Sequence, residues 1–214
     1  MARVFFEMAR SKSSAQWLRR HVADPYVKRA AAQGYRSRSA YKLLEIDRRE
    51  RILRPGVRVV DLGAAPGGWS QVAAQKVGPQ GIVIAVDLLE VAPIAGVTVI
   101  RGDFRDAGVR AQVSAALGVR KADAVLSDLS PNVSGIASAD QARAAELARI
   151  AIDFSVANLR PSGTLLLKVF HGEEFEAVRS ALRETFREVH ANKPAASRGE
   201  SRETYLVARG LRPG

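Results

Sequence analysis

The sequence predicts an α/β fold in which a mostly parallel sheet has helices on both faces. Short apolar runs of strand length alternate with segments of helical periodicity along most of the 214 residues. A glycine-rich turn joins the first of these runs to a helix. Hydrophobic residues make up 47% of the chain, which is typical of a protein with a core rather than a disordered one.

The glycine-rich turn, residues 57–70, is the stretch that points to a ligand. A short valine-rich strand ends at Asp61, and Gly63 and Gly67 then allow the backbone to approach a bound molecule closely. The spacing is not Gly-x-Gly-x-x-Gly, and Pro66 lacks the N–H that would hold a pyrophosphate. A ligand without phosphate, such as S-adenosylmethionine, fits better. The turn favours a methyltransferase over its alternatives, a nicotinamide or nucleotide enzyme and a purely structural turn.

Acidic residues follow the next buried strands. Asp87 ends the run 81–87 and lies 24 positions after Gly63, where an acid that accepts both ribose hydroxyls is expected. Asp103 follows the strand 97–100 and is a candidate either for the adenine amino group or for a turn. Asp128 ends the strand 123–128. Carboxyl ends of strands are where open α/β sheets bind ligands, so these ends predict one site.

The fifth strand, 164–170, carries Lys168 within an apolar run. A lysine is expensive to bury unless it is paired, and Asp128 on the expected neighbouring strand is the predicted partner. The alternative is a lysine that extends to solvent from an edge strand. Helices are predicted from Lys42 to the Pro55–Gly56 stop, after Ser70, over 138–159 and over 175–186; short strands are predicted near 187–189 and at 204–208, with Glu203 at the mouth of the last.

The net charge of +11 is unevenly distributed. Residues 1–54 hold 14 Lys/Arg and 5 Asp/Glu, a balance of +9, whereas the other 160 residues balance at +2. We therefore divide the chain into a basic N-terminal region, 1–54, and a ligand-binding domain, 55–214, which form one globular unit. Such a localised excess predicts a polyanion partner. A solubilising face and an anionic membrane surface are the alternatives.

Within the basic region, Arg36 and Arg38 lie beside tyrosines in the stretch 34–42, which suits phosphate contacts and base stacking. The same stretch also fits a loop before a helix, with Ser39 as the N-cap.

Several classes of protein are not supported by the composition. There is no cysteine, and the three histidines are widely separated, so we expect no disulfide and no metal. No run approaches the roughly 18 apolar residues of a membrane span, and the N-terminus has no apolar signal core. We expect a cytoplasmic protein without a membrane partner.

The motifs, taken in order, resemble the FtsJ/RlmE family of ribosomal RNA ribose 2′-O-methyltransferases. The resemblance covers nearly all of the chain from about residue 13 to residue 208. The matching segments are Ser37-Arg-Ser-Ala-Tyr-Lys-Leu43, Asp61-Leu-Gly-Ala-Ala-Pro-Gly-Gly-Trp-Ser70, Gly102-Asp-Phe104, Ser127-Asp-Leu-Ser-Pro-Asn132, Leu167-Lys-Val-Phe170 and Ser201-Arg-Glu-Thr-Tyr205.

The resemblance implies a Rossmann-like class I fold: a seven-stranded, mostly parallel sheet with a reversed last strand. It implies a catalytic tetrad and a pocket for S-adenosyl-L-methionine. It also implies, as in the bacterial branch of the family, a substrate uridine of 23S rRNA within the 50S subunit. The tetrad maps onto Lys42, Asp128, Lys168 and Glu203, and the cofactor contacts onto Gly63, Gly67, Trp69, Asp87, Asp103 and Asp128.

Further expectations concern RNA and catalysis. We expect Arg36, Arg38, Arg198 and Arg202 to contact RNA, and the protein to act as a monomer. Lys168 is the candidate general base or orienting group for the 2′-hydroxyl. Three other functions stay open: a non-catalytic RNA-binding assembly factor, a nicotinamide oxidoreductase, and a methyltransferase of tRNA or of a cap. The absent Gly-x-Gly-x-x-Gly and Tyr-x-x-x-Lys motifs argue against the oxidoreductase.

Overall fold

The structure is a computed structural model that describes residues 24–131, 134–197 and 201–213. The predicted apolar stripe around Trp17 to Val22 and the predicted RNA contact Arg198 lie outside these residues.

The described strands form one seven-stranded sheet in the order β3-β2-β1-β4-β5-β7-β6. The first five run parallel, and β7 is antiparallel to both of its neighbours. This confirms the predicted fold class with its reversed last strand. The bounds are β1 Arg58–Leu62, β2 Ile82–Asp87, β3 Val97–Arg101, β4 Ala122–Ser127, β5 Leu159–Phe170, β6 Phe186–Asn192 and β7 Glu203–Leu211.

Helices cover both faces of the sheet, as predicted, and each face has its own core cluster. One cluster includes Leu43 and Val72 from two helices, and the other includes Val113, Ile152 and Leu182 from three more. Among the described helices, none is long and apolar enough to cross a lipid bilayer. The helices are α1 Pro25–Ala32, α2 Ala40–Glu50, α3 Gly68–Val77, α4 Ala107–Leu117, α5 Ala137–Asn158 and α6 Phe175–Thr185.

The helix ends show how local sequence sets the boundaries. Asp24 accepts a hydrogen bond from the Tyr26 N–H at 2.9 Å and caps α1, where the Asp-Pro pair predicts a break or a start. Ser39 stands at the N-cap position of α2 as predicted, but its hydroxyl bonds that of Ser37 at 2.6 Å and makes no capping bond. Helix α2 ends at Arg51, whose φ of 51° places a non-glycine residue in the left-handed region.

Two elements differ from the sequence-based expectations. Helix α4 is absent from those expectations, although Asp106 caps it and Val109, Val113 and Leu117 recur at the spacing of a buried face. Strand β5 begins at Leu159 rather than at residue 164, because Leu159 pairs with Ala122 before a register shift in the ladder. A tertiary contact therefore extends the strand through a proline and a glycine that the sequence marks as a break.

The register aligns the ends of three strands at the carboxyl edge of the sheet. Leu62 lies beside Val86 on one side and Ser127 on the other. The ladder continues one step further, since the Gly63 N–H donates to the Val86 carbonyl and the Asp128 N–H to that of Leu62. The glycine turn and the acidic strand ends are thereby brought to one place, as the sequence predicts.

Candidate active site

Lys168 faces the side of the sheet that α2 covers. Leu166, two residues earlier on β5, belongs to the core cluster beneath α2, and side chains alternate along a strand. Tyr205 lies directly opposite Lys168 in the antiparallel ladder, and Glu203 lies opposite Phe170. Because β7 pairs with β5 in this register, residues distant in the chain converge on one amine.

The side chain of Lys168 is largely covered and is paired with Asp128, as predicted. Its Nζ lies 3.1 Å from Asp128 Oδ1 and donates to the Asp128 carbonyl oxygen at 2.7 Å. Only 8% of the lysine side chain is exposed. Two of its three donors are thus used by one residue, which leaves a third for another acceptor. The alternative of a lysine that extends freely to solvent is not what the structure shows.

Lys42 and Glu203 form the second ion pair. Lys42, in the first turn of α2, places its Nζ 2.5 Å from Glu203 Oε1. Burial would raise the pKa of Glu203, but the charge and hydrogen bond of Lys42, the Ser197 hydroxyl and the charge of Lys168 outweigh it and lower the pKa. The two ion pairs lie close together, because Glu203 is two residues from Tyr205, the residue opposite Lys168, on the same face of β7. The structure therefore brings together all four residues of the predicted tetrad.

Tyr205 is a fifth member of this constellation, and its sequence position alone suggested no role. Its hydroxyl donates to Asp128 Oδ1 at 3.0 Å, and its ring lies 5.6 Å from that of Trp69 and 5.9 Å from Lys42 Nζ. Burial and the charge of Asp128 raise its pKa, so the phenol stays protonated and donates. A signal was present: Tyr205 is two residues after Glu203, on the same face of a strand.

We expect Tyr205→Phe to lower kcat about tenfold and to reduce the free energy of unfolding by about 1 kcal/mol, because Asp128 loses one donor. Steady-state kinetics and urea unfolding measure the two effects. KM for the RNA should not change, since the hydroxyl orients Asp128 rather than substrate. A rise in KM with kcat unchanged would contradict this positioning role.

Gly63 is the glycine on which the geometry of the site depends most. Its φ is +79°, and a Cβ atom there would lie 2.9 Å from the Leu129 nitrogen and 3.1 Å from the Asp128 carbonyl carbon. Both contacts are with backbone, which cannot move without moving Asp128. The turn is therefore held against the neighbouring strand by the absence of a side chain.

Gly63→Ala should displace Asp128, lower methyl transfer at least about 100-fold, and destabilise the protein by about 2 kcal/mol or more. Gly56→Ala is the matched control, because Gly56 has φ +80° and a Cβ atom there would meet nothing within 4 Å. The control shares the positive φ but not the contact. Equal losses in the two variants, measured by urea unfolding and initial rates, would show that the contact with Leu129 is unimportant.

Asp61 is fully buried beneath the same turn. Its Oδ2 accepts the Ser70 hydroxyl at 2.6 Å, and its Oδ1 has no hydrogen-bond partner among the described residues. Burial raises its pKa to about 7; the nearby Asp128 and Asp87 charges add to the rise, and the Ser70 hydroxyl opposes it. A buried acceptor with an unused lone pair at a strand end is suited to a donor group on a ligand.

The other predicted cofactor contacts occupy distinct positions. Asp87 accepts the N–H groups of Ala65 and Leu89, each at 2.8 Å, which fixes its carboxylate beside the glycine turn. Gly67 has φ +111° at the start of α3. Trp69 is only 2% exposed, and its indole N–H donates to the Ser39 carbonyl at 2.8 Å, so its side chain is part of the core. The cofactor contact of Trp69 stays a prediction.

Asp103 has the geometry of a turn aspartate, which was the alternative to its predicted contact with adenine. Its Oδ1 accepts the backbone N–H of Arg105 at 2.9 Å, and the Arg105 side chain contacts both carboxylate oxygens. Hydrogen bonds from Arg105 lower the pKa of Asp103. A contact with adenine therefore has to compete with Arg105 for the carboxylate.

The predicted RNA-contacting arginines are not equivalent in the structure. Arg36 donates to the carbonyls of Ala92 and Pro93 at 2.6 and 2.7 Å and to that of Pro66 at 3.3 Å, and so joins the glycine turn to the loop after β2. Arg38 pairs with Asp24 at 3.0 Å and donates to the Ala196 carbonyl. Arg202 is exposed and borders a cleft of about 210 Å³ beside the end of β5. Of these residues, Arg202 is the best placed to meet RNA.

Nothing among the described side chains forms a group of three or more metal-ligating residues.

The comparisons with known proteins agree with this geometry. Residues 35–211 match the family of FtsJ-like methyltransferases. The chain is 52% identical over 205 residues, 96% of its length and 99% of the relative's, to Ribosomal RNA large subunit methyltransferase E of Pseudomonas aeruginosa. It is 50% identical over 205 residues to the protein of the same name from an Azoarcus species, covering 96% of this chain and all of that one.

Solved structures agree as well. A crystal structure described as a ribosomal RNA methyltransferase of Plasmodium falciparum is 29% identical, with a TM-score of 0.72 over 83% of this chain and 98% of that one. Fibrillarin of Aeropyrum pernix, solved with natively bound S-adenosyl-L-methionine, shares the fold at 18% identity and a TM-score of 0.55, covering 81% and 75%. The resemblance drawn from the motifs is confirmed: the chain belongs to the family of FtsJ-like methyltransferases.

Proposed function

We propose that the protein transfers a methyl group from S-adenosyl-L-methionine to the ribose 2′-hydroxyl of a uridine in large-subunit ribosomal RNA. The observation that carries the proposal is the pairing of Lys168 with Asp128 and of Lys42 with Glu203 at the end of the sheet that holds the glycine turn. The relatives named for large-subunit ribosomal RNA support the choice of substrate.

The cofactor supplies a methyl group on a good leaving group, so the chain has to align the hydroxyl oxygen and handle its proton. Alignment can lower a barrier by several kcal/mol, up to about 7–11 in favourable cases. The third donor of Lys168 is free to orient the 2′-oxygen, since Asp128 occupies the other two. After loss of a proton to solvent, the ammonium groups of Lys168 and Lys42 stabilise the developing negative charge.

A proton-accepting role for Lys168 would require that the amine first release a proton itself. The two contacts of Lys168 Nζ with Asp128 support an orienting role instead. We therefore assign to Lys168 the positioning of the hydroxyl and the stabilisation of the alkoxide.

The residues around the glycine turn fit S-adenosyl-L-methionine. The unpaired Oδ1 of Asp61 suits its cationic end, and the Asp87 carboxylate, fixed by two backbone donors, suits a pair of ribose hydroxyls. Gly63 and Gly67 leave the backbone accessible. Asp103 is the proposed partner of the adenine amino group, in competition with Arg105.

We further propose that the substrate is the 23S rRNA within the 50S subunit. The exposed Arg202 beside the tetrad is a candidate contact, together with Arg198 and with Arg36 and Arg38 once RNA displaces their present partners. The basic N-terminal region, 1–54, serves RNA and the domain 55–214 serves the cofactor. We place the protein in the cytoplasm as a monomer, without a metal or a membrane partner.

The test is methyl transfer from tritiated S-adenosyl-L-methionine to 50S subunits that lack 2′-O-methylation, with free 23S rRNA, tRNA and capped RNA as parallel substrates. We expect label in the 50S subunit at one uridine, located by ribose-methylation mapping. Label in tRNA or in the cap instead would show that this RNA, and not the 50S subunit, is the substrate. Tight binding of the subunit without any transfer would indicate an assembly factor.

A further inference from the structure

A second basic surface borders a cleft along α2, and four of its five arginines lie at the end of the helix opposite Lys42. It consists of five arginines that we call the distal arginine cluster: Arg29, Arg48, Arg49, Arg51 and Arg54. All five are exposed and border one open cleft of about 710 Å³. Lys42 lies in the first turn of α2 at the tetrad and Arg51 follows its end, nine residues or about 13 Å along the axis.

The cluster holds positive charge that no described carboxylate neutralises. Within the parts of the chain that the structure describes, none of the five arginines forms an ion pair with an acid. Arg49 bonds the Asn192 amide oxygen at 3.4 Å, and Arg29 lies over the Tyr41 ring at 4.7 Å.

The acids that border the same region have other partners. Asp47 accepts the Leu53 N–H and contacts Lys76, and Glu50 contacts His190 and Arg209. Glu45 accepts the Tyr26 hydroxyl and the Ala196 N–H. The surface therefore presents arginines with unused donors, which suit phosphate oxygens.

The backbone conformation of Arg51 distinguishes a binding role of the cluster from a structural role. Cations near a helix C-terminus interact favourably with the helix dipole, which could by itself account for Arg48 and Arg49. That does not explain Arg51, which occupies the left-handed position where glycine is strongly preferred, at φ 51° and ψ 45°. An arginine at this position strains the backbone more than a glycine would, so its presence indicates a function for its side chain.

We propose that the distal arginine cluster is a second RNA-binding surface, which contacts backbone phosphates of the substrate away from the methylated ribose. The proposal rests on the proposed function for its substrate. A contact of this kind positions RNA without reading its bases, so it affects substrate affinity and not the chemical step. It also gives helix α2 two roles, with a tetrad lysine at its start and phosphate contacts at its end.

The test compares Arg48→Gln/Arg54→Gln with a matched control, Arg183→Gln/Arg187→Gln. The control pair is exposed, removes the same charge, and includes one arginine in the last turn of another helix, α6. We expect the cluster variant to raise Kd for undermethylated 50S subunits about tenfold, to lower the slope of log K against log salt by about 2, and to raise KM with kcat unchanged. The control should resemble the wild type.

Arg51→Gly is the second variant, and it distinguishes a loss of binding from a loss of stability. We expect its thermal midpoint to equal or exceed that of the wild type while its Kd for the subunits rises several-fold. Equal Kd and salt slope in cluster and control variants would overturn the proposal. So would a cluster variant that loses binding to anionic phospholipid vesicles but keeps its affinity for RNA. If the wild type binds subunits but transfers no methyl group, the proposed function fails while the Kd comparison still tests the cluster.

Discussion

Lys168→Ala is expected to lower methyl transfer by about 10³-fold or more, with the Kd for S-adenosyl-L-methionine changed by no more than a few-fold. The reason is the position of the amine. Its Nζ is held by the Asp128 carboxylate and carbonyl at 3.1 and 2.7 Å, at the end of the sheet where the hydroxyl has to meet the methyl group. The cofactor, by contrast, is expected to bind chiefly to the glycine turn and the strand-end acids.

Single-turnover kinetics with 50S subunits and calorimetric titration of the cofactor measure the two quantities. Lys168→Met keeps the volume of the buried stem and shows whether a loss reflects packing. Glu203→Ala should reduce the rate less, because Glu203 contacts Lys42 rather than Lys168. Equal loss would mean that the tetrad acts as one unit. Parallel loss of cofactor binding and transfer in both Lys168 variants would refute the assigned role.

Stability of the free protein is expected to fall as the pH rises from about 5 to about 8, because of Asp61. The unfolded carboxyl titrates near its ordinary 3.8, whereas burial raises the pKa of the folded one to about 7. Between these values the folded state holds a proton that the unfolded state has released, so the stabilisation is complete below about pH 4 and lost as the pH rises through about 7. Over pH 5 to 8 the change is about 3 kcal/mol.

Urea unfolding at pH 5, 6, 7 and 8 measures this change, and Asp61→Asn is the control. The asparagine oxygen can still accept the Ser70 hydroxyl, but the side chain does not titrate. The variant should lack the decline seen in the wild type. The pKa values of Glu203 and Asp103 are lowered, so these groups make the free energy of unfolding rise with pH, and they do so at a lower pH. They therefore do not mask the decline between pH 5 and 8. Parallel curves for the two proteins would show that Asp61 is ionised in the fold throughout.

Local patterns are sufficient to predict most elements and insufficient for a few. Strands β1, β2, β4 and β5 are the most predictable, because buried parallel strands contain continuous apolar runs, whereas the outer strand β6 is largely exposed and has no such run. Helix α4 escapes prediction, although its apolar residues recur at helical spacing and Asp106 caps it. Strand β5 is longer than its apolar run because its first contact, Leu159 with Ala122, joins residues far apart in the chain.

The residues of the site likewise fall into those that local patterns predict and those that they do not. The acids at the strand ends and the buried lysine are predictable, because a polar group in or after an apolar run needs a partner or a function. The turn geometry of Asp103, the internal bonds of Arg36 and the burial of Trp69 are not decided by their positions in the motifs. Each depends on a partner such as Arg105, Ala92 or Ser39, which pattern alone does not identify as a contact.

By itself, the sequence determined the seven strands, most of the helices, the glycine turn and the types of side chain at the strand ends, because these follow from periodicity, burial and backbone freedom. Only the tertiary structure decided that Tyr205 completes the Asp128 pair, that one oxygen of the buried Asp61 has no partner among the described residues, and that the five arginines of the distal cluster border one cleft along α2. The physical reason is that pairing, desolvation and the field of neighbouring charges depend on distances in space between residues that are far apart in the chain.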